Sequence, residues 1–160
     1  MLLAPFVVSL LLLASAAPAP KSLVVQGEWG AFEGDGPQNC YAIARPYRSP
    51  KQTEWSAFAS VGYWPSRNVR SQIHFRLSRE KRSGSAVLLR IDGETFQLLA
   101  GGRDAWAPDN RADTRIVAAM RGGVEMSVET RTPSGALMRD SYRLRGAATA
   151  IDAAAVACSE

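Results

Sequence analysis

Val69, Ile73, Phe75 and Leu77 alternate along the chain with Arg70, Gln72, His74 and Arg76. A period of two lets an extended segment bury one face and wet the other, so it commits this stretch to a strand. The same period recurs through the chain, broken by turn signals roughly every eight to fifteen residues, which is the pattern of an all-β domain. Trp29–Phe32 and Cys40–Ala44 read as the first two strands, separated by the turn Gly34-Asp35-Gly36-Pro37, and Glu54–Tyr63 reads as the third. Glu80–Ser85 is a polar loop. Val87–Ile91 and Thr95–Leu99 flank Asp92-Gly93, a dipeptide suited to the positive φ values of a tight hairpin turn. Val124, Met126 and Val128 alternate with Glu125, Ser127 and Glu129, and Pro133-Ser134-Gly135 turns the chain into Leu137–Arg145. That hairpin sets Arg139 and Arg143 on the outer face beside Glu125 and Glu129 as cross-strand pairs of opposite charge.

Two segments depart from the period. Ala112–Arg121 places Ile116, Val117 and Met120 on one helical side, with Gly122-Gly123 as its stop. Ala147–Ala157 is dense in alanine and leads into Cys158 as a second short helix. The expected architecture is an antiparallel β-sandwich or β-barrel-like domain with two short helices and one disulfide.

The cysteines and the amino-terminal segment speak to compartment. Met1–Leu13 is apolar and Ala14-Ser15-Ala16 supplies the small residues of a signal-peptidase site, so residues 1–16 read as a signal peptide and 17–160 as a single domain. No Lys or Arg stands between Met1 and the apolar run, a departure from the usual leader. Pro5 interrupts the run, and its length falls short of the ~20 residues that span a bilayer, so no transmembrane segment is expected after leader removal. Cys40 and Cys158 form an even pair in an exported chain, and their expected state is a disulfide joining the two ends of the domain.

The formal charge of +4 rests on 16 Arg and 3 Lys. Such mild basicity fits solvated, ion-paired arginines better than a nucleic-acid surface, and no nucleic-acid partner is expected. Four tryptophans, Trp29, Trp55, Trp64 and Trp106, invite a carbohydrate- or peptide-binding reading. Core packing is the alternative reading of such residues, and Trp64, beside Pro65 and the basic residues, is the one expected to be exposed. Tyr63, Trp64, Arg67, Arg70, His74 and Arg76 make up the candidate binding patch.

The inventory for catalysis is thin. His74 is the only histidine, and a position between Arg70 and Arg76 suits a general base poorly, because neighbouring positive charge disfavours protonation of an imidazole. There is no Gly-x-Ser-x-Gly. Asp104, Asp109 and Asp113 are spaced too widely for an EF-hand loop and read as loop carboxylates. Paired carboxylates of a glycosidase would come from separate strands and leave no local motif. No catalytic residue, metal or cofactor is assigned.

Trp29 and Phe32, Cys40-Tyr41-Ala42, Ile91-Asp92-Gly93 with Phe96 and Leu98, Ala105-Trp106, Ile116-Val117-Ala118-Ala119-Met120-Arg121 with Gly123, Asp140-Ser141-Tyr142 and Gly146–Cys158 follow one another in an order that resembles the invasion-associated locus B family of exported alphaproteobacterial proteins. The resemblance runs from about Gln26 to Cys158, and because Trp29 and Trp106 match its pattern it implies that these two are structural. It implies a β-sandwich-like domain in the periplasm or on the surface of a Gram-negative bacterium, linked to virulence and entry into host cells. Where members of that family often carry Gly-Tyr-Pro after the Val69–Leu77 strand, this chain has Ser78-Arg79-Glu80. The expected function is that of a non-enzymatic envelope or surface protein whose partner is an envelope or host-surface component. A small-ligand or polyanion-binding module, with an anionic glycan as ligand, and a hydrolase are the alternatives.

Overall fold

The computed structural model describes residues 19–35, 38–51 and 55–159. The expected leader, Gly36-Pro37 and Glu54 lie outside the described residues. Ten strands among them, β1 (Lys21–Gln26), β2 (Trp29–Glu33), β3 (Cys40–Ala44), β4 (Phe58–Trp64), β5 (Val69–Arg76), β6 (Val87–Ile91), β7 (Glu94–Gly101), β8 (Asp104–Trp106), β9 (Glu125–Arg131) and β10 (Leu137–Arg143), are joined by antiparallel pairing. Their order is β1-β2-β3-β4-β5-β8-β7-β6-β9-β10. The helices are α1 (Asn110–Gly122) and α2 (Ala147–Ala157).

β7 divides this ladder into two sheets. Its first part, Glu94 to Leu98, pairs with β6, and Leu99 to Gly101 pair with β8. The first sheet therefore runs β1-β2-β3-β4-β5-β8 and the second β6-β9-β10, with β7 passing from one to the other. The inner faces of both contribute to one hydrophobic core, giving the expected sandwich-like all-β fold.

The two inner faces differ in chemistry. Across the first sheet, Ala31, Ala42, Val61 and Ile73 form one row in register and Trp29, Ala44, Ala59, Phe75 and Ala105 the next, all of them buried. Helix α2 packs on β1 to β4 and presents Ala147, Ala150, Ile151 and Ala154 inward. Alanine facing alanine lets a helix approach a sheet closely. Across the second sheet the rows are larger, Phe96-Leu89-Val128 and Ile91-Met126-Tyr142.

A backbone bridge and an indole hydrogen bond tie β10 to the first sheet, and one covalent bond ties α2 to it. Arg48, past the end of β3, bridges to Ser141 on β10, and the Trp29 indole donates to the Arg143 carbonyl at 2.9 Å. Gly27 and Gly146 sit where the β1–β2 turn meets the start of α2, both with positive φ; a Cβ on Gly146 would lie 1.8 Å from the Gln26 carbonyl oxygen. Cys40 and Cys158 are bonded, with Cα atoms 5.8 Å apart, so the expected disulfide pins the end of α2 to β3.

Several local readings change. The Asp92-Gly93 hairpin forms with Ile91 opposite Glu94, but only Asp92 takes a positive φ, 48°. Aspartate is one of the few residues besides glycine that enters that region, and here its carboxylate accepts the amides of Val124 and Glu125 from the start of β9. Gly123 ends α1 in an extended conformation and not as a left-handed cap; a Cβ there would lie 2.8 Å from Leu144 Cδ1. The three aspartates expected in loops each have a structural task. Asp104 lies on β8, Asp109 caps α1 by accepting the Ala112 amide, and Asp113 is a buried residue of α1. Asp113 accepts the Ile73 amide at 2.8 Å, just beyond the residues of β5 that three-residue β8 can pair. Burial pushes its carboxyl up, the Ile73 bond opposes that, and Asp109 adds to it.

Candidate functional site

The outer face of the first sheet is built from the residues that the inner rows leave pointing outward. Opposite the Ala31–Ala42 row stand Phe32, Tyr41, Gly62 and Gln72; the next row is Gly30, Ile43, Ser60, His74, Trp106 and Leu99; then come Phe58, Arg76, Asp104 and Gly101. Apart from Trp29 and Tyr63, the inside of β2 to β4 is filled by alanines, Val61 and Cys40, while Phe32, Tyr41, Phe58 and Trp64 collect outside. Phe32 and Tyr41 stack at 5.8 Å between centroids. The Phe32 ring covers Gly30, and the Trp64 indole covers Gly62 so closely that a Cβ would lie 2.3 Å from its Cη2. Glycine at these two outward positions lets each ring rest on the sheet.

At the other end of the face, His74 stacks on Trp106 at 5.3 Å with planes 9° apart and meets Phe58 edge-on at 5.2 Å. Its Nε2 lies 2.8 Å from Asp104 Oδ1, which also accepts Arg76 Nε at 3.1 Å. Burial acts to raise the Asp104 carboxyl, but the bonds and charges of His74 and Arg76 outweigh it and hold the group below the ordinary carboxylate range. Trp106 and Leu99 are exposed beside this cluster, Trp106 at 37%.

The outer face of the second sheet is charged. Glu129 takes Arg139 Nε at 2.9 Å and Arg90 Nε at 3.5 Å. Glu125 accepts the Tyr47 hydroxyl, a bond that pushes the phenol up, and Arg143 lies over the Tyr47 ring at 4.5 Å while pairing with Glu28 at 3.0 Å. The expected cross-strand register of Arg139 with Glu129 and Arg143 with Glu125 is present, although Arg143 takes its ion pair from Glu28. The segment Tyr47–Pro50 walls an open groove of ≈ 630 Å³ over these residues. Beneath it, fully buried Asp140 accepts the Ser49 hydroxyl at 2.7 Å and the Ser78 amide at 2.9 Å, and burial raises its carboxyl despite those bonds.

The candidate patch from the sequence is brought together in part. Trp64, His74 and Arg76 belong to the outer face of the first sheet, and Arg67 and Arg70 are exposed beside Trp64 at the β4–β5 hairpin tip. A bulge at Ser71, with φ of 56°, separates Arg70 from the His74–Arg76 run. Tyr63 leaves the patch: it packs against the core, and burial raises its phenol. Of the tryptophans, Trp29 is buried as expected, whereas Trp106 is exposed and Trp64 half-buried, the reverse of the expectation for that pair; Trp55 donates its indole N–H to the Leu77 carbonyl. Sequence reasoning missed Asp104 as the partner of His74, and Phe32, Tyr41, Phe58 and Leu99 as one face. The signal was the parity of β2 to β4, where the alanines take one set of alternate positions and Phe32, Tyr41, Phe58 and Trp64 the other.

Among the described residues no three His, Cys, Asp or Glu side chains converge to hold a metal ion, and no helix is long and apolar enough to cross a membrane. Comparison with protein-family models, curated proteins and solved structures returns no match.

Proposed function

We propose that the chain is an exported, non-enzymatic domain of the envelope or surface of a Gram-negative bacterium, and that it works by binding an envelope or host-surface component, as the resemblance to the invasion-associated locus B family implies. The observation that carries this reading is the Cys40–Cys158 bond. Such a bond persists in oxidising compartments and is rare in the cytosol, which agrees with the apolar leader. Binding is favoured over catalysis by His74, whose Nε2 is engaged by Asp104 and whose ring is stacked on Trp106. A hydrolase built on histidine would need a nucleophile facing the imidazole, and the contacts of the His74 ring are instead Asp104, Trp106 and Phe58.

Fractionation of the source cells combined with thiol labelling tests the reading. The expected result is an oxidised protein in the periplasmic or surface fraction, with leader cleavage after Ala16 and reduced host-cell entry on deletion of the gene. A cytoplasmic protein carrying two free thiols would overturn it.

A further inference from the structure

We propose that the outer face of the first sheet is a docking platform for an anionic polysaccharide, its rings stacking on the sugars and Arg67 and Arg70 meeting their acidic groups. The proposal rests on the binding reading above and names the ligand class. Aromatic rings are apolar surfaces with a polarised face, and they suit the C–H faces of pyranose rings. Here Phe32 and Trp64 are seated on glycines and Tyr41 stacks on Phe32, so the rings are supported by the sheet. Trp106 and Leu99 extend the apolar surface toward β7, and the ordered Arg76–Asp104–His74 cluster beside them offers fixed polar groups.

Charge decides between a neutral and an acidic ligand. Arg67 and Arg70 are exposed and, among the described residues, neither has an acidic partner. Arg90, Arg139 and Arg143, on the other sheet, are all paired with glutamates, and Arg48, which lines the groove there without an ion pair among the described residues, shares it with Asp92, Glu125 and Glu129. A polyanion gains most where positive charge is not already compensated, so it docks at the β4–β5 tip and along the first sheet, and the groove of the second sheet is a poor competitor.

The test uses the oxidised protein, residues 17–160, in affinity electrophoresis through gels containing polygalacturonate, with dextran as the neutral polymer. Single-stranded DNA and phosphatidylglycerol vesicles are assayed separately. The expected result is retardation by polygalacturonate that fades between 50 mM and 500 mM salt, with little retardation by dextran. Arg67→Gln with Arg70→Gln, and separately Trp64→Ala, should weaken it at least 10-fold at unchanged melting temperature, while Arg139→Gln leaves it unchanged. Trp106→Ala provides a further variant remote from the hairpin tip should Trp64→Ala melt early, and is expected to weaken binding several-fold. Absence of retardation, equal retardation by dextran, unaltered binding in the double arginine variant, or tighter binding to DNA or vesicles would each overturn the proposal. None of these outcomes bears on compartment, which the fractionation result decides by itself.

Discussion

The two sheets solve the same packing problem in opposite ways. In the first, alanines dominate the inside of β2 to β4 around the single indole of Trp29, and rings gather on the outside; in the second, Leu89, Met126 and Tyr142 line the inside, and arginines and glutamates the outside. The difference follows from what each inner face meets. The first sheet receives α2, whose own alanines require close approach, and large side chains there would hold the helix away. The second has no helix in comparable contact and fills its space with side chains. Burial is thus assigned by the partner across the core, and size alone does not decide which face of a strand turns inward.

The strongest challenge to this contrast is loss of the disulfide. Cys158→Ser removes a cross-link over a sequence separation of 118 and should cost up to about 4–5 kcal/mol on the chain-entropy model, read by guanidinium unfolding. Because the bond anchors α2, amide exchange should rise more in β1 to β4 than in β6, β9 and β10. Uniform acceleration would mean that the sheets do not depend on separate supports.

Core substitutions sharpen the contrast at lower cost. Ala42→Leu should destabilise by about 1–3 kcal/mol, because the helix side of the first sheet has no room for it, whereas Met126→Leu in the second should cost less than about 1.5 kcal/mol. Equal melting temperatures for the two variants would show that the alanine face tolerates bulk and was not selected by helix approach.

Acid titration separates the sheets by sign. Asp140, beneath the second sheet's groove, has its carboxyl raised by burial; its contribution is fully present below the ordinary value of about 3.9 and is lost as pH rises through the folded value. Asp104, on the first sheet, is held low by His74 and Arg76 against its burial; its contribution is present above about 3.9 and is lost as pH falls through the folded value. Unfolding measured across this range should show Asp140→Asn and Asp104→Asn changing the pH slope in opposite directions. Slopes that move together would contradict these assignments.

The smallest effect on stability is expected from Glu129→Gln. It frees Arg90 and Arg139 at a cost of no more than about 1 kcal/mol, since such pairs contribute little when partly solvated. The same change should give the second sheet a salt-sensitive affinity for polygalacturonate that the native charge pairing suppresses. A variant that gains none would show that uncompensated arginine without supporting rings is insufficient.

Most of the fold was legible because strands with one wet face advertise their period: β5, the β6–β7 hairpin, the β9–β10 hairpin and both helices lie where the pattern places them. Two strands were not. β1 carries Leu23, Val24 and Val25 in succession, and an irregularity in its pairing between Ser22 and Val24 breaks the alternation. β8 has only three residues and is defined by its neighbours β5 and β7. The site was half legible. Trp64, Arg67, Arg70, His74 and Arg76 could be grouped along one hairpin, but Asp104 reaches His74 from a strand 30 residues away, a juxtaposition that only the sheet order creates. Tyr63 was misplaced because it was grouped with its chain neighbour Trp64, whereas alternation along β4 sets Tyr63 inward with Val61, opposite Cys40, and Trp64 outward with Gly62.

The Cys40–Cys158 bond also imposes an order in time. Cys40 belongs to the third strand and Cys158 follows the last helix, so a chain made from its amino terminus presents the first thiol long before the second exists. Every strand from β4 onward must emerge during that interval. Closure is therefore a record of completion: a chain cut short between Cys40 and Cys158 carries a lone thiol, free to cross-link with a neighbour, whereas a chain sealed by its own bond has delivered every element of both sheets.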